Sequence, residues 1–494
     1  MSNANPSATD TGTAVPEPTG AMKRKVVGLA IAAAVGGFLF GFDSSVVNGA
    51  VDAIQHGFAL NAVVTGFVVA IALLGCALGA YLAGRLADRF GRLRVMLVGA
   101  IMFLASSIGA GLAFSVWDLG FWRVIGGIGI GIASVVAPAY IAEIAPKQSR
   151  GSLASLQQLA ITIGIFVALL SDALLAGIAG SASKELWFGA EAWRWMFIVG
   201  AIPAIIYGIL SFTLPESPRY LIATGRRDEA RQIFSTLVPE EAIDTQISDI
   251  EKSIKEDEAG EKSTLRGDRF GLKPIVWIGI ILSVFQQFVG INVIFYYSTT
   301  LWRAVGFTEK DSLTITVITS VTNVLVTVVA IVLVDRIGRR PILLTGSIGM
   351  AISLAVMAIA FSFSVKNSDG VVTLPGAWGP IALVAANIFV VCFGASWGPL
   401  VWVLLGEIFP TKIRAKALGL AASAQWIANF LITVSFPALA DFSLTFTYGM
   451  YAAFAVLSFF FVMWKIPETK GMALEDAKST FETKPARPTK AHAS

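Results

Sequence analysis

About twelve stretches of this chain are apolar over the length of a membrane-crossing helix, and that limits the fold more than any other feature. Hydrocarbon offers no water to backbone N–H and C=O groups, so a crossing segment must satisfy them internally. The runs are too long for barrel strands, so the chain reads as an all-α membrane protein. They fall roughly at 26–50, 62–84, 93–115, 119–142, 152–178 and 194–214. A second set lies at 273–302, 312–334, 340–364, 379–405, 414–438 and 445–466. Composition agrees, with 55% of 494 residues hydrophobic and 14% charged. The expected units are a disordered tail at 1–22, a six-helix bundle at 23–216, a charged helical linker at 217–270, a second bundle at 271–466 and a tail at 467–494. No cleavable signal peptide is evident in the polar, Pro/Thr-rich start.

Lysine and arginine set the expected orientation. Lys23 to Lys25, then Arg85 to Arg94, Lys147 and Arg150, Arg336 to Arg340, and Lys412 to Lys416 occupy one set of loops. The alternate loops are poor in base, which places both termini and the linker in the cytoplasm. The net charge of +4 therefore reports topology, and no nucleic-acid partner is implied. With two cysteines in apolar runs and two histidines far apart, neither a disulfide framework nor a His-based metal site is expected. No nucleophile–base pair appears in the spans. That argues against an enzyme, and no cofactor is expected.

The chain repeats itself. Asp88–Arg92 (DRFGR) recurs as Asp335–Arg339 (DRIGR), Glu143–Arg150 (EIAPKQSR) as Glu407–Arg414 (EIFPTKIR), and Pro215-Glu216-Ser217 as Pro467-Glu468-Thr469. Two parallel halves joined by a linker are the arrangement of a carrier whose halves rock about a central site. The acids and bases at matching places in both halves suggest a cytoplasmic latch that breaks in the inward-facing state. Positive-inside topology alone is the plainer alternative.

Phe285–Ser298 (FQQFVGINVIFYYS) sets two glutamines, an asparagine and two tyrosines in an apolar run. Those amides must face protein or water. On one continuous helix, Gln286, Gly290 and Tyr297 share a face, with Gln287 and Asn292 beside it. Amides both donate and accept, which suits a polyhydroxylated ligand, although they also bond neighbouring helices. Gln158 opens the fifth run, Gly398-Pro399 is expected to break the tenth, and Trp402, Gln425 and Trp426 lie in or beyond it. Asp43 sits in the middle of the first run, where a lone carboxylate costs about 2.5–3.5 kcal/mol on insertion scales. Arg123 in the fourth run is its candidate partner, either as a proton-coupling pair or as a static ion pair. Gly126, Gly127, Gly129 and Gly131 read as close helix packing.

GGFLFGFD, GRLADRFGR, RVIGGIGIGIASVVAPAYIAEIAP, LQQLAITIG, PESPRYL, QQFVGINVIFYY, DRIGRR, SWGPLVWVLLGEIFP and PETKG together resemble the sugar porter family of the major facilitator superfamily, from about Gly36 to Gly471. Through FDSSVVNGA, FQQFVGINVIFYYS and SAQWIANF the chain is most similar to its actinobacterial proton-coupled glucose permeases. The resemblance implies a major facilitator fold of two pseudo-symmetric six-helix bundles with twelve spans, acting as a monomer in the lipid bilayer of a bacterial plasma membrane. It implies a monosaccharide, D-glucose first, and a proton as the transported partners. Gln158, Gln286, Gln287, Asn292, Asn323, Gly398, Trp402, Gln425 and Trp426 would line the sugar site. Phe38, Tyr296, Tyr297 and Phe393 would gate it, and Asp43 with Arg123 would couple the proton. Asp88, Arg89, Arg92, Glu143, Arg150, Glu216, Arg219, Asp335, Arg336, Arg339, Glu407, Arg414 and Glu468 would form the latch. Phe42 stands where the family usually has Tyr, and the second DRIGRR lacks the Gly that precedes the first. Ile165 stands where some xylose-type members carry a second Gln, which favours a hexose over xylose. A myo-inositol, polyol or pentose symporter and an uncoupled uniporter are the alternatives, ahead of a nutrient receptor.

Overall fold

The computed structural model describes residues 19–145, 150–259, 265–267, 271–366, 372–409 and 413–468. Among them are twelve helices long and apolar enough to cross a membrane. The first six are Gly20–Gly57, Ala62–Phe90, Arg92–Gly111, Val116–Ile144, Leu156–Ala179 and Ala192–Thr213. The second six are Pro274–Ala304, Glu309–Ile331, Arg339–Ser362, Trp378–Leu405, Lys416–Phe442 and Leu444–Lys465. They are called spans one to twelve below. Two two-stranded hairpins, Glu185–Trp187 with Ala190–Glu191 and Val365–Lys366 with Val372–Thr373, cap loops at the end of the bundle opposite the linker. That end is called the far end.

The first span starts earlier than its sequence suggests. The Thr19 hydroxyl accepts from the Met22 N–H, so the helix begins at Gly20 within the stretch expected to be a tail. Residues 1–18 of that tail and 469–494 of the other lie outside the described residues. Asn61, Ser115 and Ser443 start the second, fourth and twelfth spans in the same way. The linker contains helices Pro218–Ala223, Arg227–Phe234 and Glu240–Ala259.

Small residues set the spacing inside the first half. A Cβ on Gly127 would lie 2.1 Å from the Ala72 carbonyl oxygen, and one on Gly131 would lie 2.2 Å from that of Cys76. The glycines of the fourth span thus let its backbone touch the second, where dispersion replaces the hydrophobic effect as the packing force. Between the halves, the second span packs on the eleventh, the fifth on the eighth and the first on the seventh.

At the linker end the two halves carry the same bonded unit. Glu216 accepts from the backbone N–H groups of Arg92 and Leu93, and Glu468 from those of Arg339 and Arg340. Each carboxylate caps the helix that follows its DR-G-R turn, where the N-terminal partial charge favours an anion. Gly91 (φ 92°) and Gly338 (φ 108°) make these turns, and a side chain at either would strike the capping carboxylate. The Arg92 guanidinium then pairs with Glu143 at 2.8 Å and with Asp88 at 3.2 Å, while Arg339 pairs with Glu407 at 3.0 Å. These pairs stay within one half. Each turn arginine thus finds its acid on a neighbouring helix of its own bundle, at the repeated Glu143 and Glu407. Arg89 lies over the Phe90 ring, and Arg219 bonds Ser253 of the linker. Side-chain placements of Arg150, Asp335 and Arg414, also expected in the latch, lie outside the described residues.

Candidate functional site

The polar stretch is not one helix. The helix Pro274–Phe288 ends, Gly290 adopts a left-handed conformation (φ 84°), and a second helix runs Ile291–Ala304. Tyr297 adds a kink within it (φ −129°, ψ 16°). The shared face expected from a continuous helix is lost at Gly290, and the amides meet by bonding across the break instead. Asn292 Nδ2 donates to Gln287 Oε1 at 2.5 Å, and Gln287 Nε2 donates to Gln286 Oε1 at 3.3 Å. Gln286 Nε2 donates in turn to the carbonyls of Trp397 and Gly398, at 2.9 and 3.1 Å.

Those carbonyls belong to the broken tenth span. The break falls at Ala395-Ser396, between helices Trp378–Gly394 and Trp397–Ile408, and not at Gly398-Pro399 as expected. Pro399 sits in the first turn of the second piece, where its missing N–H would have had no helical partner. The amide chain thus ties the broken seventh span to the broken tenth. It leaves the Asn292 carbonyl and one N–H each on Asn292 and Gln287 able to exchange bonds with hydroxyls.

Tyr296 and Tyr297 are buried just beyond. Asn429 Nδ2 donates to the Tyr296 hydroxyl at 3.4 Å, Thr433 Oγ1 donates to Asn429 Oδ1 at 3.1 Å, and the Tyr297 hydroxyl donates to the Thr433 carbonyl at 3.1 Å. Trp426 is buried edge-on to Phe40 of the other half, with centroids 5.2 Å apart. Gln425 Oε1 is buried without a partner, and Asn323 is buried beside Gly394. Gln158 is half-buried in the fifth span. Phe38 stacks on Phe42, and Phe393 lies against Gly398. Trp402, four residues beyond Gly398 on the second piece of the tenth span, is 42% exposed.

Asp43 and Arg123 meet as the sequence suggested, with Nη1 to Oδ1 at 2.9 Å and both residues buried. The guanidinium lies 5.8 Å from the centre of the Phe197 ring. A cavity of about 10 Å³, room for roughly one water, adjoins the pair and is bordered by Phe40, Ser44 and Tyr296. It separates the ion pair from the tyrosine end of the amide cluster.

Sequence reasoning missed the far-end contacts between halves. Asn48 Nδ2 donates to the Phe295 carbonyl at 2.8 Å, and its Oδ1 accepts from Thr299 N and Oγ1 at 3.1 and 2.6 Å. Asp52 takes the Thr300 hydroxyl at 2.8 Å and the Arg303 guanidinium at 2.7 Å. Glu309 accepts from Ser181 Oγ and Ala182 N at 2.9 and 2.8 Å. Asn48 lies in the quoted FDSSVVNGA, and an amide in an apolar run was the available signal. The far end is therefore closed across the two halves.

A family model described as "Sugar (and other) transporter" matches residues 29–481. The chain belongs to this sugar transporter family. Among its relatives, a "Glucose transport protein" of Synechocystis is 54% identical over 445 residues, 90% of this chain and 95% of that one. A "D-xylose-proton symporter" of Escherichia coli is 36% identical over 492 residues, covering 92% and 96%. Among solved structures, the proton:xylose symporter XylE bound to 6-bromo-6-deoxy-D-glucose is 35% identical and covers 93% of this chain and 100% of that one, with a TM-score of 0.77. A partially occluded inward-open XylE from E. coli gives 0.78 at 33% identity, covering 91% and 99%. The family is one of transporters, and the two pseudo-symmetric six-helix bundles are its major facilitator fold.

Proposed function

We propose that this sugar transporter is a proton-coupled importer of a monosaccharide, D-glucose first, in the plasma membrane. The observation that carries the reading is the buried Asp43–Arg123 pair, set one water-sized cavity from Tyr296 of the broken seventh span, whose amides bond one another and the broken tenth. The glucose transport protein and the D-xylose-proton symporter among the relatives support it, and Ile165 favours a hexose over a pentose.

Gln286, Gln287 and Asn292 take the sugar hydroxyls with Gln158, Asn323 and Gln425. Gly398, Trp402 and Trp426 complete the site, and Phe38, Tyr296, Tyr297 and Phe393 gate it. Asp43 accepts the proton from outside and gives up its bond to Arg123 as it does so. The ion pair is thereby open to proton exchange only while the site is. A proton entering down 100 mV supplies about 2.3 kcal/mol, or roughly a fifty-fold sugar gradient.

With both termini and the linker cytoplasmic, the closed far end is the outer gate and the arrangement is inward-facing. The arginine–glutamate units at the linker end brace each half in this state and re-pair across the halves when the outer gate opens. The working unit is a monomer, with bundles at 23–216 and 271–466.

Uptake of labelled glucose into proteoliposomes, with and without an imposed pH gradient, tests the reading. Wild type accumulates sugar with the gradient, and Asp43→Asn only exchanges it. A gradient that changes nothing in either protein makes the chain a uniporter. Transport of xylose but not glucose overturns the hexose assignment.

A further inference from the structure

Asp172 is a second carboxylate deep in the membrane-spanning bundle, and coupling through Asp43 makes no use of it. It lies in the fifth span with 0% exposure. Its Oδ2 accepts a single bond, from the Gly49 N–H at 3.3 Å, and its Oδ1 is buried without a partner. The first and fifth spans touch here through small residues. A Cβ on Gly41 would lie 2.0 Å from the Ile161 carbonyl, and one on Gly49 would lie 2.7 Å from Asp172 Cβ. Ser45, one turn from each glycine, and Ser171, beside Asp172, both carry buried hydroxyls without partners.

The charged groups on the surrounding helices are engaged elsewhere or lie in water. On the first span, Asp43 is bonded to Arg123 of the fourth and Asp52 to Arg303, and His56 is exposed at the far end. The sixth span starts beside the Glu191–Arg194 pair. The eighth starts at Glu309, which is bonded to Ser181 and Ala182, with Lys310 exposed and Asp311 bonded to Thr308. Lys184 of the intervening loop is exposed. An ionised carboxylate here would have neither cation nor water. A protonated one leaves only a single O–H wanting an acceptor, which is the smaller penalty.

Position gives that proton a consequence. Gly49 follows Asn48, the residue that bonds the seventh span across the closed far end, and precedes Asp52 by three positions. Opening the far end must move this turn of the first span and admit water beside it. We propose that Asp172 is a second proton-binding site, and that its protonation holds the outer gate closed. On opening, the carboxyl releases one proton to water on the far side, and on closing it takes one back. No other bond is made or broken. At this carboxyl acid outside favours closure by linkage, because Asp172 is protonated in the closed state only, whereas Asp43, which takes its proton while the site is open outward, shifts the balance the other way. The outward orientation of the far end rests on the proposed function, but the device does not require that transport be coupled.

The test measures the gate without sugar or a gradient. Spin labels at His56→Cys and Lys310→Cys, in a Cys76→Ser, Cys392→Ser, Asp43→Asn background that removes the opposing Asp43 proton, report the far-end distance in lipid as pH is varied. Labelling His56 also removes its imidazole as a rival titrating group. The open-to-closed ratio is expected to change by up to about tenfold per pH unit. Adding Asp172→Asn should abolish that dependence and leave the gate mostly closed. A pH-independent gate in the labelled parent, or an unchanged dependence in folded Asp172→Asn, overturns the proposal. If Asp172→Asn fails to fold, infrared difference spectra of Asp43→Asn decide. A protonated-carboxyl carbonyl band that disappears on opening upholds it, and absence of that band refutes it.

Discussion

Replacing Asn48 with alanine should shift the transporter toward its outward-open state. Asn48 is 1% exposed and makes three bonds from the first span to the seventh, to the Phe295 carbonyl and to the Thr299 N–H and hydroxyl. A net hydrogen bond contributes about 0.5–1.5 kcal/mol, so three contribute roughly 1.5–4.5 kcal/mol to the closed state. The groups left behind sharpen the effect. In the closed state Phe295 and Thr299 lose buried partners, while in the open state water reaches them. At about 1.4 kcal/mol per decade, the closed-to-open ratio falls by about tenfold to a thousandfold. Distances between spin labels at the far end give that ratio directly. Accessibility of a single cysteine in the opened site to an impermeant reagent gives it independently. A change under about threefold in well-folded protein would refute the reasoning, because the bonds would then persist in both states and bias neither.

Three further substitutions probe other parts of the argument. Gln286→Ala removes the donor that ties the seventh span to the Trp397 and Gly398 carbonyls, so sugar affinity by calorimetry should fall about ten- to a hundredfold, with some loss of thermal stability. Gly290→Ala forces a side chain into a left-handed conformation with its Cβ 2.6 Å from the Tyr451 ring; detergent-solubilised protein should lose about 1–3 kcal/mol and unfold at lower temperature. In the linker, hydrogen bonds from Arg231 hold the Asp244 carboxyl below its ordinary value of 3.8. A lowered carboxylate stabilises above the ordinary value and stops doing so as pH falls through the lowered one. Carboxyl carbon shifts of the isolated Asp244 signal should therefore titrate below 3.8 in wild type and return toward it in Arg231→Ala.

The spans, the halves and the polar cluster were legible because each leaves a mark along the chain. Apolar length announces a span, recurrence of DR-G-R announces the second half, and amides in an apolar run announce a site. The arrangement within the site was not legible. A helical wheel assumes an unbroken helix, and Gly290 and Ser396 break both of the helices that bring Gln286 to Trp397. The far-end closure was hidden for a different reason. Asn48 and Phe295 are 247 residues apart, and nothing local to either names the other. Asp88, Arg92, Glu143 and Glu216 stand out along the chain as a charged group, but its repetition in the second half is consistent with pairing within a half or between halves. Only the packed helices discriminate.

The doubled unit at the linker end bears on how the protein comes apart. Glu216 with Arg92 and Glu143, and Glu468 with Arg339 and Glu407, tie helices together inside each bundle. Contacts between the bundles must remain exchangeable for the carrier to turn over, so they add little common stability. Forced extraction from the bilayer should accordingly break the chain into two separate rupture events, one per bundle, and weakening either glutamate should lower one of the two forces while sparing the other.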